Sequence, residues 1–138
     1  MTEQVRAATA TMFPFARYND GKAAIAWLCN AFGFEPREVH EGEDGTIVHA
    51  ELVFGASVFM LDSKPDTGLG LKTARELGAV TGGVYVHVED IDAHYRRTTS
   101  AGAEIVRELA DTDYGSREYV ARDTEGNLWG FGTYRPTL

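Results

Sequence analysis

The chain is poor in the residues that would announce an easy function. It has one cysteine, Cys29, in 138 residues, so no internal disulfide can form and the expected compartment is the cytoplasm. Cys29 sits beside Trp27 and Leu28 with no base nearby in sequence, which reads as packing rather than nucleophilic chemistry. No apolar run is long enough to span a bilayer, and residues 1–10 (MTEQVRAATA) lack the apolar core of a signal peptide. That tail reads as frayed or helical decoration, and no membrane partner is expected. Basic residues are few, 13 Lys and Arg against 21 Asp and Glu for a net charge of −8. Nucleic acid is therefore not an expected partner, because its affinity comes from cations on phosphates. The acidic balance favours a cationic small molecule, although solubility alone accounts for such a surface. No G-x-G-x-x-G follows a strand, and no Walker loop, G-x-S-x-G or C-x-x-C occurs, so nucleotide, hydrolase and dithiol readings lack support.

What the chain does have is a repeat. Residues 13–62 and 83–134 pass through the same events at nearly equal spacing. Each half has a short apolar strand, an acidic helix start at Asp20 or Asp90, and a helix ending at Phe32-Gly33 or Ala101-Gly102. Three strands close each unit, their last turn carrying Gly55 or Gly126. A period of roughly 70 residues in two copies is too long and too few for a solenoid. The fold class read from this is α+β, two βαβββ modules in a single domain 1–138. Module one covers 12–62, a linker 63–81, and module two 82–135. Each open sheet needs cover, and a joint between two such sheets makes a concave pocket of the kind that holds small molecules.

Strand parity proposes which side chains line that pocket. Met12–Tyr18 reads as a strand, and Asn19 or Asp20 caps a helix over 21–32 with Ile25, Leu28, Cys29 and Phe32 as its buried stripe. Over 46–54, Val48, Ala50, Leu52 and Phe54 fall on one face and His49, Glu51 and Val53 on the other. A two-residue Gly55-Ala56 turn then pairs Glu51 with Met60 and His49 with Asp62. The linker is broken by Pro and Gly, offers one helical turn near Thr73–Leu77, and is placed to fold over the pocket mouth. In module two, Val84, Val86 and Val88 pack on the helix, which leaves Gly83, Tyr85 and His87 facing the pocket. Trp129 and Phe131 take the helix side of the last strand, leaving Leu128, Gly130 and Gly132 inward. Pairing across the Asp123–Gly126 turn sets Tyr119 opposite Gly130. Glycines facing an aromatic describe either a floor kept open for a flat ligand or relief in a strongly bent strand.

The segments VYVHVEDIDAHYRRTTSAGAE and YGSREYVARDTEGNLWGFGTY carry a family likeness. The V-x-D-I-D-A junction and the R-D-x-E-G-N-L-W hairpin resemble the glyoxalase, bleomycin-resistance and dioxygenase superfamily, also called vicinal oxygen chelate proteins. HAELVFGASVFML adds an echo of its PhnB-like branch. The resemblance covers about residues 12–135 and implies U-shaped open barrels, usually in dimers, so a homodimer is expected. It says little about activity, since one fold hosts many functions. Enzymes of the family hold a divalent metal with His, Gln or Glu near the start of each module and on its closing strand. The corresponding positions here fall at Phe13, Gly83, Met60 (or Phe59 if the hairpin slips by one) and Gly130, none of which binds a hard cation. The expectation is therefore no metal and no cofactor.

Three functions compete on these residues. The first is a metal-free protein that binds a flat or cationic small-molecule ligand, with Phe13, His49, Glu51, Met60, Tyr85, His87, Tyr119 and Gly130 as candidate ligand-binding residues. The second is a metal-dependent glyoxalase- or dioxygenase-type enzyme with an unorthodox divalent-metal site around His49 and Glu51, with Asp62 beside them. The bland account of that face is a half-exposed strand with cross-strand polar pairs. The third is a regulatory or self-association module with filled pockets, in which Phe13, Tyr85 and Tyr119 would pack together. No catalytic residue is identified, and the first reading leads because the metal ligands are missing.

Overall fold

Each module begins where a carboxylate rescues a helix start. Asp20 accepts the Ala23 N–H at 3.1 Å and Asp90 accepts the Ala93 N–H at 3.1 Å, each satisfying an amide that the first turn leaves without an intrahelical partner. The structure is a computed structural model and describes residues 10–65 and 68–137; most of the N-terminal tail lies outside them. In chain order the elements are β1 (Phe15–Arg17), α1 (Gly21–Phe32), β2 (Glu35–Glu41), β3 (Ile47–Phe54) and β4 (Ser57–Asp62). After the short α2 (Ala74–Leu77) come β5 (Gly83–His87), α3 (Ile91–Ser100), β6 (Glu104–Asp111), β7 (Arg117–Arg122) and β8 (Leu128–Gly132).

The strands form two four-stranded mixed sheets, ordered β1-β4-β3-β2 and β5-β8-β7-β6. In each, the first strand runs parallel to the last and the other pairs are antiparallel. They are open βαβββ sheets, not closed barrels. The first and last strands and the helix starts repeat at numbers 70 apart. Phe15 pairs Met60 as Tyr85 pairs Gly130, and Tyr18 N–H meets Asp62 O at 2.8 Å as Val88 N–H meets Gly132 O at 2.8 Å.

The helices join the modules. Gly33 ends α1 in the left-handed region, at φ 87°, where a side chain would be strained. Arg97 of α3 donates to Asn30 O at 2.9 Å and Cys29 O at 3.1 Å, placing a cation on carbonyls at the α1 C-terminus. Phe32 sits between the sheets, 4.8 Å from Phe131 and 5.6 Å from Trp129 by ring centroid. Phe59, Leu52 and Leu61 from one sheet and Trp129, Phe131 and Tyr119 from the other complete a single core.

Two expectations need correction. Val48 is exposed and Ile47 is buried instead, because a bulge in the β2–β3 ladder passes from His40↔His49 to Glu41↔Ile47 and leaves Val48 as the extra residue. Tyr119 pairs with Phe131, and Val120 takes the place opposite Gly130. The cause is a turn one residue longer than assumed, with Asp123 N–H reaching Asn127 O at 3.0 Å, and a slip of one residue turns a side chain to the other face. Tyr119 is consequently a core residue with no exposure. His94 of α3 packs in the same core, with Nδ1 2.6 Å from Tyr119 Oη and Nε2 2.7 Å from Phe32 O.

Candidate functional site

The joint between the modules is pinned on one side by a buried polar hub. Asp123 Oδ2 accepts the Tyr18 hydroxyl at 2.6 Å and the Trp129 indole N–H at 3.0 Å, while Oδ1 accepts the Glu125 and Asn127 amides at 3.0 Å each. Two residues on, the Glu125 carboxylate takes the Asn19 and Asp20 amides at 2.7 and 2.8 Å. Both carboxylates are buried, and among the described residues neither has an ion-pair partner; both are satisfied by hydrogen bonds. Burial, reinforced by the neighbouring Asp123, raises the Tyr18 phenol well above its usual pKa. Beside this hub the linker is tied down. Thr73 and Glu76 form a capping box for α2, Thr73 donates to Asn19 Oδ1 at 2.8 Å, and Glu76 pairs with Arg17 at 3.2 Å.

Around the hub lie two hollows that share the walls Pro14, Phe59, Val84 and Trp129. The linker hollow, about 470 Å³, lies between β1 and the start of β5, with Phe13 on one wall and Lys72, Ala74 and Leu77 of the linker on another. The linker thus borders a pocket. The hairpin hollow, about 560 Å³, lies between the β3–β4 turn and β5. Phe34, Phe54 and Trp129 give it an aromatic wall, and Tyr85, His87, Glu89 and Arg135 supply its polar groups. The Nδ1 atom of His87 is buried there with no hydrogen-bond partner.

The structure separates the residues proposed to line one pocket. Phe13 borders the linker hollow, and Tyr85 and His87 border the hairpin hollow. Gly130 does not leave an open floor, because Tyr85 lies across it. A Cβ at Gly130 would sit 3.6 Å from Tyr85 Cδ1, and one at Gly132 would sit 2.6 Å from Tyr85 Oη. The glycines make room for this ring, whose hydroxyl donates to Tyr134 O at 2.7 Å. Tyr119 is in the core, so Phe13, Tyr85 and Tyr119 lie in three different places rather than in one plug.

His49, Glu51 and Met60 are on the outer face of the first sheet and border neither hollow. His49 Nε2 is 2.9 Å from Glu51 Oε2, and Glu51 pairs with Met60 across the ladder as the turn predicted. Asp62 does not complete a triad, since its Oδ1 accepts the Lys64 amide at 3.2 Å. Phe13, Met60, Gly83 and Gly130 offer no donor to a hard cation. Among the described residues no three His, Cys, Asp or Glu side chains come together in a way that could hold a metal. Glu89 and Arg135 are residues that strand parity missed. Setting the two halves side by side would have found Glu89, which falls opposite Asn19.

Comparison with known proteins agrees with this architecture. Residues 10–131 match the model of the Glyoxalase/Bleomycin resistance protein/Dioxygenase superfamily, and the chain belongs to that family. An uncharacterized protein of Mycobacterium tuberculosis is 31% identical over 121 residues, covering 86% of this chain and 71% of that one. The crystal structure of TioX from Micromonospora sp. ML1 is 34% identical, with a TM-score of 0.76 over 91% of this chain and 99% of the other. That of UcmS2, at 24% identity and a TM-score of 0.73 over 94% of this chain and the whole of the other, shows the shared fold. Among the described residues no helix is long and apolar enough to cross a membrane.

Proposed function

We propose that this chain is a metal-free, cytoplasmic, homodimeric binding protein of the superfamily's PhnB-like branch that takes a flat aromatic small molecule. The observation that carries this reading is the pair of aromatic-walled hollows meeting at Phe59 and Trp129, in a joint without a cluster of metal ligands among the described residues. Burying about 200 Å² of an aromatic ligand is worth about 5 kcal/mol at about 25 cal/mol per Å², before the cost of association. At low ionic strength the net charge of −8 adds steering for any cationic group the ligand carries. The test is titration calorimetry and Trp fluorescence with a panel of planar aromatic and cationic polycyclic compounds. Saturable heat with a change in Trp129 emission is expected. A panel that gives neither heat nor thermal shift removes the reading.

The His49–Glu51 contact at 2.9 Å favours one rival, a metal-dependent enzyme of the glyoxalase or dioxygenase type. Metal analysis of protein purified without chelator separates the two. Less than about a tenth of an equivalent of Zn, Ni, Fe or Mn supports the binding protein, and a near-stoichiometric ion supports the enzyme.

A further inference from the structure

The two modules repeat each other, but their joints do not. In module one, the amides of Asn19 and Asp20 are both taken by a single carboxylate, that of Glu125, at 2.7 and 2.8 Å. The residues 70 further on are Glu89 and Asp90, in the same place between a first strand and an Asp-capped helix. The turn that should serve them is Phe54-Gly-Ala-Ser57, which has no acidic residue where the other has Asp123-Thr-Glu-Gly-Asn127. Among the described residues no acceptor takes the Glu89 or Asp90 amide.

The rest of the joint has changed in step. Val88 stands at the position of Tyr18, and Phe59 at that of Trp129, so nothing there needs the counterpart of Asp123. What remains is the hairpin hollow, with Glu89 on its rim. His87 and Arg135 border the same space, and the Arg135 guanidinium has no hydrogen-bond or ion-pair partner among the described residues.

Building on the binding function proposed above, we infer that the hairpin hollow receives a planar aromatic carboxylate, its acid group on the Glu89 and Asp90 amides and its rings against Phe34, Phe54 and Trp129. The chain itself shows the geometry, because Glu125 makes the corresponding contact in the other module. Charge-assisted bonds from two amides are the stronger kind, and a helix N-terminus favours an anion. Arg135 offsets the carboxylate that Glu89 brings to the rim. The negative surface does not oppose this arrangement, since exposed charges are screened beyond roughly 8 Å at physiological salt.

The experiment uses the full chain and three probes of one shape: 2-naphthoate, neutral 2-naphthamide and cationic 2-naphthylmethylammonium, followed by calorimetry and amide NMR. 2-Naphthoate is expected to bind at least tenfold more tightly than the other two and to shift the Glu89 and Asp90 amides most. Ala56→Glu, which supplies a carboxylate from the turn, should weaken 2-naphthoate at least tenfold. Arg135→Gln should weaken 2-naphthoate but not 2-naphthamide, which tests the same site without altering the turn. Equal or tighter binding of the amide or the ammonium, or unmoved Glu89 and Asp90 resonances, overturns the acid site while leaving the binding function standing. If none of the three binds, both fall.

Discussion

The Tyr18 hydroxyl donates to Asp123 Oδ2 at 2.6 Å between residues 105 apart in the chain, and both partners are buried. This contact fastens the first strand of one module to the last turn of the other. Tyr18→Phe removes one donor and leaves Trp129 and Asn127 on the carboxylate, so a loss of about 1–3 kcal/mol is expected. Asp123→Ala strands the Tyr18 hydroxyl, the Trp129 N–H and two amides together, and should cost more than Tyr18→Phe. Urea unfolding of the two variants checks the order.

Stability should also report on His94. Burial lowers its pKa, with Arg97 adding to the effect and the Phe32 carbonyl opposing it. A base whose folded pKa is depressed contributes stability that is complete above its unfolded value near 6.5 and is lost as pH falls through that value toward the folded one. The exposed carboxylates Glu38, Asp44 and Glu76 have lowered pKa values and act only in more acid solution. Between pH 7 and 5, therefore, the wild-type chain should lose stability relative to His94→Gln. Urea midpoints that fall in parallel for the two proteins would contradict this assignment. At the alkaline end the raised phenol of Tyr18 has the opposite sense, since its stabilisation is complete below about pH 10 and is lost as pH rises above it.

Gly21 sets helix propensity against packing. Alanine would favour the helix by up to about 1 kcal/mol, but its Cβ would lie 2.7 and 2.8 Å from the Cγ1 and Cβ of Ile47, a fully buried residue. Overpacking of this kind costs about 1–3 kcal/mol, so packing wins and Gly21→Ala should destabilise. Gly82→Ala, with nothing within 4 Å of its Cβ, is the control and should change stability by less than about 0.5 kcal/mol. Thermal melts of both variants decide it.

The proposed homodimer has an expected site. β1 and β5 are end strands, each paired on one side only, and Met12, Phe13, Phe15 and Tyr85 near them are exposed, Phe15 by 61%. Bare apolar edges of this kind invite pairing with another chain. Phe15→Lys should shift sedimentation equilibrium toward monomer without unfolding the chain, whereas a wild-type protein that is monomeric at micromolar concentration would refute the dimer.

The fold was legible because its signals are local. The Asp20 and Asp90 caps, the helical stripe ending at Gly33 and the Gly55-Ala56 hairpin each speak within a few residues. Val48 and Tyr119 were misread for a different reason. A bulge and one extra turn residue change parity without leaving a mark on the hydrophobic pattern. The glycine floor failed because Tyr85, on a neighbouring strand, fills it. Of the site, Tyr85 and His87 were reachable from strand alternation and Phe13 from the family resemblance, but the hollows also depend on Pro14, Phe59 and Arg135, whose meeting is a matter of tertiary packing. His49 and Glu51 drew notice as the densest polar cluster, and the structure puts them on a face that borders neither hollow.

The Glu125 cap on Asn19 and Asp20 also has a consequence for biosynthesis. The helix it serves leaves the ribosome 105 residues ahead of the side chain that secures it, a delay of roughly 5–20 s at ordinary elongation rates. During that interval the nascent first half has neither its anchor nor its aromatic neighbours from the second. Its apolar sheet face stays uncovered until the second module has emerged, the interval in which a nascent chain is most open to aggregation.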